Sequence, residues 1–161
     1  GKTSLFLGGV VAKDDPRVEF EGALDELCSF LGVCKSLAKS ASVRKHLESI
    51  QKDLFVIGAE AATASRFLKK LNRRVSKTDN ERLEKLIEEI EAERRPQDRT
   101  FILPGENTVS SVLDVSRTIA RRAERRAVSL TTKKILKNPY ILIYLNRLSD
   151  LLYLFARKCE R

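Results

Sequence analysis

The sequence contains no methionine and no tryptophan, and its 161 residues include a single histidine, His46. Without methionine the chain has no start of its own, which predicts that Gly1 is an internal residue of a longer product. One histidine leaves a His-based metal site or a Ser-His-Asp triad little to build on, and His46 reads as a surface helical residue. The three cysteines, Cys28, Cys34 and Cys159, form no C-x-x-C pair, and an odd number does not suit a closed disulfide framework. Cys34 continues an apolar helical stripe and is expected as a buried free thiol. No apolar run approaches the roughly 18–20 residues that a membrane span needs. No N-terminal segment reads as a signal peptide. A cytoplasmic protein with no membrane partner is expected.

What is present is charge of one sign. The formal net charge is +9 and the sequence pI is near 9.7, an excess that favours polyanionic partners. Hydrophobic residues at 42% against 33% charged make the composition globular rather than disordered. The length fits one domain with a real core. A single helical-bundle domain over residues 1–161 is therefore expected.

Apolar residues recur at spacings of three and four along almost every long segment. The first series is Phe20, Leu24, Leu27, Leu31, Cys34 and Ala38. The second runs from Val43 through Leu47, Ile50, Leu54, Ile57, Ala61 and Ala64 to Leu68. Both describe the seam of an antiparallel bundle. Ser42 is the expected N-cap of the second helix. Thr78 and Glu81 have capping-box spacing at the start of a third, and Arg73 to Lys77 before it reads as a mobile polar linker. The fourth helix spans about Thr108 to Leu130, with Val109, Val112, Ser116, Ile119, Ala123, Ala127 and Leu130 as its stripe. Asn138-Pro139 opens the fifth, whose stripe is Ile141, Leu145, Leu148, Leu152 and Phe155. The one strand-like stretch is Thr3 to Leu7. The expected fold is all-α, a five-helix bundle.

Between Pro96 and Pro104-Gly105 the loop is apolar at Phe101, Ile102 and Leu103. Such a loop either caps the core or walls a ligand pocket.

The densest chemistry lies on the fourth helix. Arg117-Thr118-Ile119-Ala120-Arg121-Arg122-Ala123-Glu124-Arg125-Arg126 holds five arginines and one glutamate. Arg is always charged, and its planar fork of donors fits phosphate oxygens. At about 100° per residue, Arg117, Arg121 and Glu124 fall close together, and they are expected to line a border of the buried face. Arg122 and Arg126 are expected on the outer side. Glu124 is placed to orient Arg121 or Arg117. Three readings stay open on these residues alone: a solvated basic face, a nucleotide site, or a nucleic-acid surface. No aromatic residues interleave with the arginines, which weighs against single-stranded nucleic acid.

Two smaller clusters accompany them. Asn146 and Asp150 share a face of the fifth helix and need partners there. Lys13-Asp14-Asp15-Pro16 opens the first helix with Asp at the positive end of the dipole. Asp25 follows inside it; turned inward, it would need a cation, with an arginine of the fourth helix the natural one.

With these pieces in place, the chain resembles the PduO-type ATP:cob(I)alamin adenosyltransferases. Four segments carry the resemblance in order: GKTSLFLGG (1–9), KDDPRVEFEGALDEL (13–27), FILPG (101–105) with SRTIARRAERR (116–126), and LNRLSDLL (145–152). The resemblance implies a trimer of five-helix bundles with active sites at subunit interfaces. It implies transfer of the 5′-deoxyadenosyl group of ATP to reduced cobalamin, with triphosphate released and Mg2+ as the metal partner of ATP. The Co(I) centre is then the nucleophile, and no nucleophilic side chain is required. By position, Thr3, Ser4 and Lys13 match ATP contacts. Arg121, Arg122, Glu124 and Arg125 match the nucleotide-binding run, and Asn146 its partner. Asp25 and Arg117 match a subunit-interface salt bridge that supports corrinoid binding. Phe101 matches the aromatic that displaces the lower axial ligand of cobalamin, and Asp150 an acidic position near the site. A flavin reductase and a B12-dependent mutase are implied as partners. The family's phosphate loop, a Thr-x-Thr-Gly-Asp-x-Gly run, is expected to precede and include Gly1. Glu106 stands where many relatives have a second glycine.

Two other functions stay in view: a basic helical module for RNA or DNA, and a corrinoid carrier without catalysis.

Overall fold

The computed structural model describes residues 1–95 and 102–160. Five long helices follow a short hairpin: α1 (Pro16–Leu37), α2 (Ala41–Ala62), α3 (Lys77–Ala92), α4 (Thr108–Thr132) and α5 (Pro139–Lys158). A 3-10 segment, Ser65–Lys70, lies between α2 and α3. Packing runs α2–α1–α4–α5–α3, so α4 and α5 are central and α3 is peripheral. The apolar series of the sequence form the core, with Phe20, Leu27, Leu31, Leu47, Leu145, Leu148 and Leu152 completely buried. Val109 and Val112, at the start of α4, are only partly covered. Among the described residues no helix is long and apolar enough to cross a membrane.

Helix starts follow side-chain chemistry, sometimes two residues from where the sequence placed them. Asp15 caps α1 and accepts from the Arg17 N–H at 2.9 Å. The Arg17 guanidinium meets the same carboxylate at 2.8 Å and holds its carboxyl below the usual range. The cap of α2 is Ser40, not Ser42, with its hydroxyl accepting from the Val43 N–H. The extended Ala38 that closes α1 leaves only Lys39 and Ser40 as a connection, so α2 begins at once. At α3 the box is Ser76 with Asp79, whose carboxylate accepts from the Ser76 N–H at 2.9 Å. Thr78 and Glu81 have the right spacing but lie inside the helix.

Arg73 to Lys77 is not a loose linker. Asp53 and Glu60 of α2 are 2% and 3% exposed, and a buried carboxylate requires cations and donors around it. Arg73 reaches Asp53 at 2.7 Å, joined there by Arg82 of α3 and by the Tyr144 hydroxyl at 2.7 Å. Arg74 reaches Glu60 at 2.6 Å, and Asn138 donates to the same carboxylate at 3.0 Å. The segment is thus latched to α2, α3 and α5.

The strand-like stretch is half of an antiparallel hairpin, β1 (Lys2–Leu5) and β2 (Gly9–Ala12), in register Lys2↔Ala12 to Leu5↔Gly9. Gly9 turns the chain at φ +81, where a side chain is strained. Gly8 lies against α2 so closely that a Cβ there would sit 2.1 Å from the Ala62 carbonyl oxygen. The Ala64 N–H donates to the Leu7 carbonyl at 3.1 Å and fixes the hairpin to the end of α2.

Candidate functional site

The arginines of α4 divide between two sides, but not the two expected from the sequence. Arg122 pairs with Glu26 of α1, and Arg126 pairs with Glu19 of α1 at 2.6 Å. Arg126 is therefore not a solvated charge. Arg121 and Arg125 are exposed, and among the described residues neither has an ion-pair partner. The reason is angular. Measured from the middle of the buried stripe, Arg126 lies roughly 60° away and Arg122 roughly 100°, whereas Arg121 and Arg125 lie roughly 160° away. Ala120, also fully buried, shows that the covered arc extends further than the stripe alone implies.

Arg117 is half-buried and meets Asp114 at 3.3 Å. Asp114 is buried and also receives Arg157 of α5, itself 4% exposed. Glu124 does not orient Arg121 or Arg117; its carboxylate accepts from the Asn146 side chain at 3.0 Å, tying α4 to α5. Asp150 is exposed and meets Arg147 at 3.4 Å, which also reaches Glu84 of α3 at 3.3 Å.

Those sequence-predicted site residues that line a groove fall in two, with no lining residue in common. One, of about 380 Å³, lies between α3, α4 and α5 and includes Arg117, Arg121, Ser149, Asp150 and Tyr153. The other, of about 590 Å³, lies between the hairpin, α1 and α2 and includes Thr3, Ser4, Glu21, Asp25 and Phe55. Asp25 is exposed there rather than turned inward, and within the chain it meets no arginine of α4. Lys13 is exposed beside the hairpin, its side chain near Gly1. Phe101 lies outside the described residues. Of its loop, Leu103 is 77% exposed and apolar.

Burial sets the protonation in the larger groove. Loss of water pushes the Glu21 carboxyl up to about 7, with the nearby negative charge of Asp25 adding to the rise. Burial likewise pushes the Cys28 thiol up, so it holds its proton and is a poor nucleophile. Sequence reasoning missed both Glu21 and Asp114. Glu21, Asp25 and Cys28 recur at spacings of four and three, a second face of α1 that the stronger apolar series obscured. Asp114 sits three residues before Arg117, a spacing that signals helical contact.

The fold and its grooves define a helical bundle with an arginine-bearing face suited to a strongly anionic phosphate ligand. More particularly, the chain belongs to the cobalamin adenosyltransferase family, whose model matches residues 1–159. It is 41% identical over 157 residues to a corrinoid adenosyltransferase of Citrobacter freundii, covering 98% of this chain and 88% of that protein. It is 43% identical over 157 residues to the corrinoid adenosyltransferase PduO of Salmonella typhimurium. That match covers 98% of this chain but only 46% of the relative, so the chain spans under half of that PduO protein. Among solved structures it resembles a phenylalanine-to-alanine variant of the PduO-type ATP:corrinoid adenosyltransferase from Lactobacillus reuteri, complexed with cobalamin and ATP. The TM-score is 0.88 at 34% identity, covering 99% of this chain and 88% of that one.

Proposed function

We propose that the chain is an ATP:corrinoid adenosyltransferase: it transfers the 5′-deoxyadenosyl group of ATP to reduced cobalamin and releases triphosphate. The observation that carries the reading is the pair of exposed arginines, Arg121 and Arg125, without an ion-pair partner among the described residues, beside Arg117 and the Glu124–Asn146 bond. Unpaired guanidinium forks bind triphosphate oxygens and stabilise the charge that builds as the C5′–O bond breaks. The Co(I) centre of the corrinoid substrate supplies the electron pair that forms the Co–C5′ bond, and triphosphate leaves with the electrons of the C5′–O bond. No side chain has to act as nucleophile.

The roles of individual residues are part of the proposal. Arg121, Arg125 and Asn146 hold the triphosphate, with Glu124 fixing Asn146. Arg122, bound to Glu26 in this chain, would have to exchange that partner to join them. Thr3, Ser4 and Lys13 contact ATP from the hairpin side. Phe101 displaces the lower axial ligand of the corrinoid.

Thr3 and Ser4 line a different groove from Arg117 and Arg121, which supports a site shared between copies of the chain. A trimer supplies what is needed: the hairpin groove of one copy faces α4 of the next. Asp25 would then meet Arg117 of the neighbouring copy, and Arg117 would be held by two carboxylates. For Mg2+ the fit is poor. Among the described residues no group of three or more His, Cys, Asp or Glu could hold a metal. The ion would travel on the triphosphate, and no step here is assigned to it. The nucleic-acid reading loses ground, because Glu26 and Glu19 neutralise two of the five arginines and interrupt the basic stripe.

The test is direct. The full-length protein, given ATP and chemically reduced cobalamin, is expected to form adenosylcobalamin and triphosphate in equal amounts. No adenosylcobalamin from a folded preparation would overturn the assignment.

A further inference from the structure

The larger groove holds a carboxyl group that the proposed chemistry does not use. Glu21 lies in it beside apolar walls from Leu5, Val18, Leu54 and Phe55. Its Oε1 is buried and has no hydrogen-bond partner among the described residues. A Cβ added at Gly58 would come within 3.1 Å of its Oε2, so α2 keeps that position bare beside the carboxyl. Within one copy and among the described residues, the only other charged residue lining the groove is Asp25, on the same helix, with the Cys28 thiol the remaining titratable group. The hairpin contributes the hydroxyl groups of Thr3 and Ser4, and α2 contributes no charge. Two other carboxylates of α1, Glu19 and Glu26, have arginine partners on α4. Within one copy and among the described residues Glu21 has no such cation, and a largely buried carboxylate without one is costly.

We propose that Glu21 is a substrate-binding residue of this groove, recognising an amide-type edge through one donated and one accepted hydrogen bond. A neutral carboxylic acid offers that pair of functions, an O–H donor beside a carbonyl acceptor. Burial raises the carboxyl to about 7, as it does for other acids that must donate, so the group is neutral below that pH and about half protonated at it. Two substrate groups present the complementary edge: the 6-amino edge of adenine in ATP, and a side-chain carboxamide of the corrinoid. At about 590 Å³ the groove fits a group of nucleoside size. This inference rests on the adenosyltransferase reading and assigns that site a residue which selects substrate.

Equilibrium dialysis of the full-length protein against ATP, and separately against cob(II)alamin, from pH 6 to 8.5 tests it. For one of the two substrates, wild-type affinity is expected to fall with rising pH, approaching tenfold per unit once Glu21 ionises above about 7. Glu21→Gln, which stays neutral, is expected to flatten that dependence and to bind within about threefold of the wild type at pH 6. Glu21→Leu is expected to weaken the same substrate about tenfold or more at pH 6 and to spare the other. Purine riboside triphosphate, which lacks the 6-amino group but keeps the N1 acceptor, should narrow the gap between wild type and Glu21→Leu if adenine is the partner. A monocarboxylic acid derivative of cobalamin should do so if a carboxamide is. A pH slope that persists in Glu21→Gln would overturn the proposal, as would Glu21→Leu binding both substrates like the wild type. Adenosylcobalamin formation by the wild type at pH 6.5 separates the two readings. No product overturns the adenosyltransferase assignment, whereas product together with indifferent Glu21 variants overturns this inference alone.

Discussion

On one side of α4, Arg122 and Arg126 reach across to Glu26 and Glu19 of α1; on the other, Arg121 and Arg125 project with no ion-pair partner among the described residues. The residue type is the same and the helix is the same. What differs is whether a neighbouring helix presents a carboxylate. Paired guanidinium groups dock α1 on α4 and have little left to offer an anion. Unpaired ones keep their donors for a ligand. Arg117 stands between the two conditions, leaning on Asp114 while lining the smaller groove.

The comparison can be broken at its anchor. Asp114→Ala removes the carboxylate shared by Arg117 and the buried Arg157. Chemical denaturation should show a loss of about 4 kcal/mol, since a buried guanidinium loses its main partner. Little change would mean that Glu160, at 3.1 Å from Arg157, suffices alone. Next in size is Arg121→Ala, expected to cost about 3 kcal/mol of transition-state stabilisation, roughly a hundredfold in adenosylation rate. Its melting temperature should stay near that of the wild type, because the side chain is exposed.

Glu21 sharpens the contrast from the side of α1. Its carboxyl is raised from 4.5 to about 7 in the folded chain. Between those values the folded protein holds a proton that the unfolded chain releases, so stability falls as pH rises through the window. Glu21→Gln should therefore exceed the wild type at pH 8 by about 3 kcal/mol, with the advantage vanishing below the unfolded value. Denaturation midpoints at pH 4 and pH 8 measure it, and an equal offset at both would refute the sign. The smallest effect belongs to Arg126→Ala. A half-exposed pair with Glu19 contributes under about 1 kcal/mol, and the adenosylation rate should not change.

Much of the bundle was legible because each helix buries a stripe at a local period, and that period is visible in the chain itself. Asn138-Pro139 marked the start of α5 correctly because cap and first turn are neighbours in sequence. The errors arose where partners are distant. Arg73 and Arg74 read as linker because Asp53 and Glu60 lie 20 and 14 residues away on another helix. Arg121 and Arg126 were placed by their neighbours on the helix rather than by their angle from the middle of the buried stripe, from which Arg126 lies roughly 60° and Arg121 roughly 160°. Ser40 and Ser42, or Ser76 and Thr78, offer equivalent caps, and the incoming chain decides between them. The second strand was missed because four residues, Gly9 to Ala12, are too few to display a period. The candidate site was legible as an arginine run and a set of motifs. Its division between two grooves was not, because that depends on which helices face one another.

The close seat of Gly8 on the end of α2 makes the hairpin and that helix one mechanical part. Thr3 and Ser4 cannot drift independently of Ala62 to Ala64, so the larger groove has one rigid jaw hinged at a point with no room for a methyl group. Variation in substrate choice would then arise at two kinds of position: those lining the groove, and the few at that seat. A change at residue 8 would reshape the mouth of the groove without touching anything bound in it.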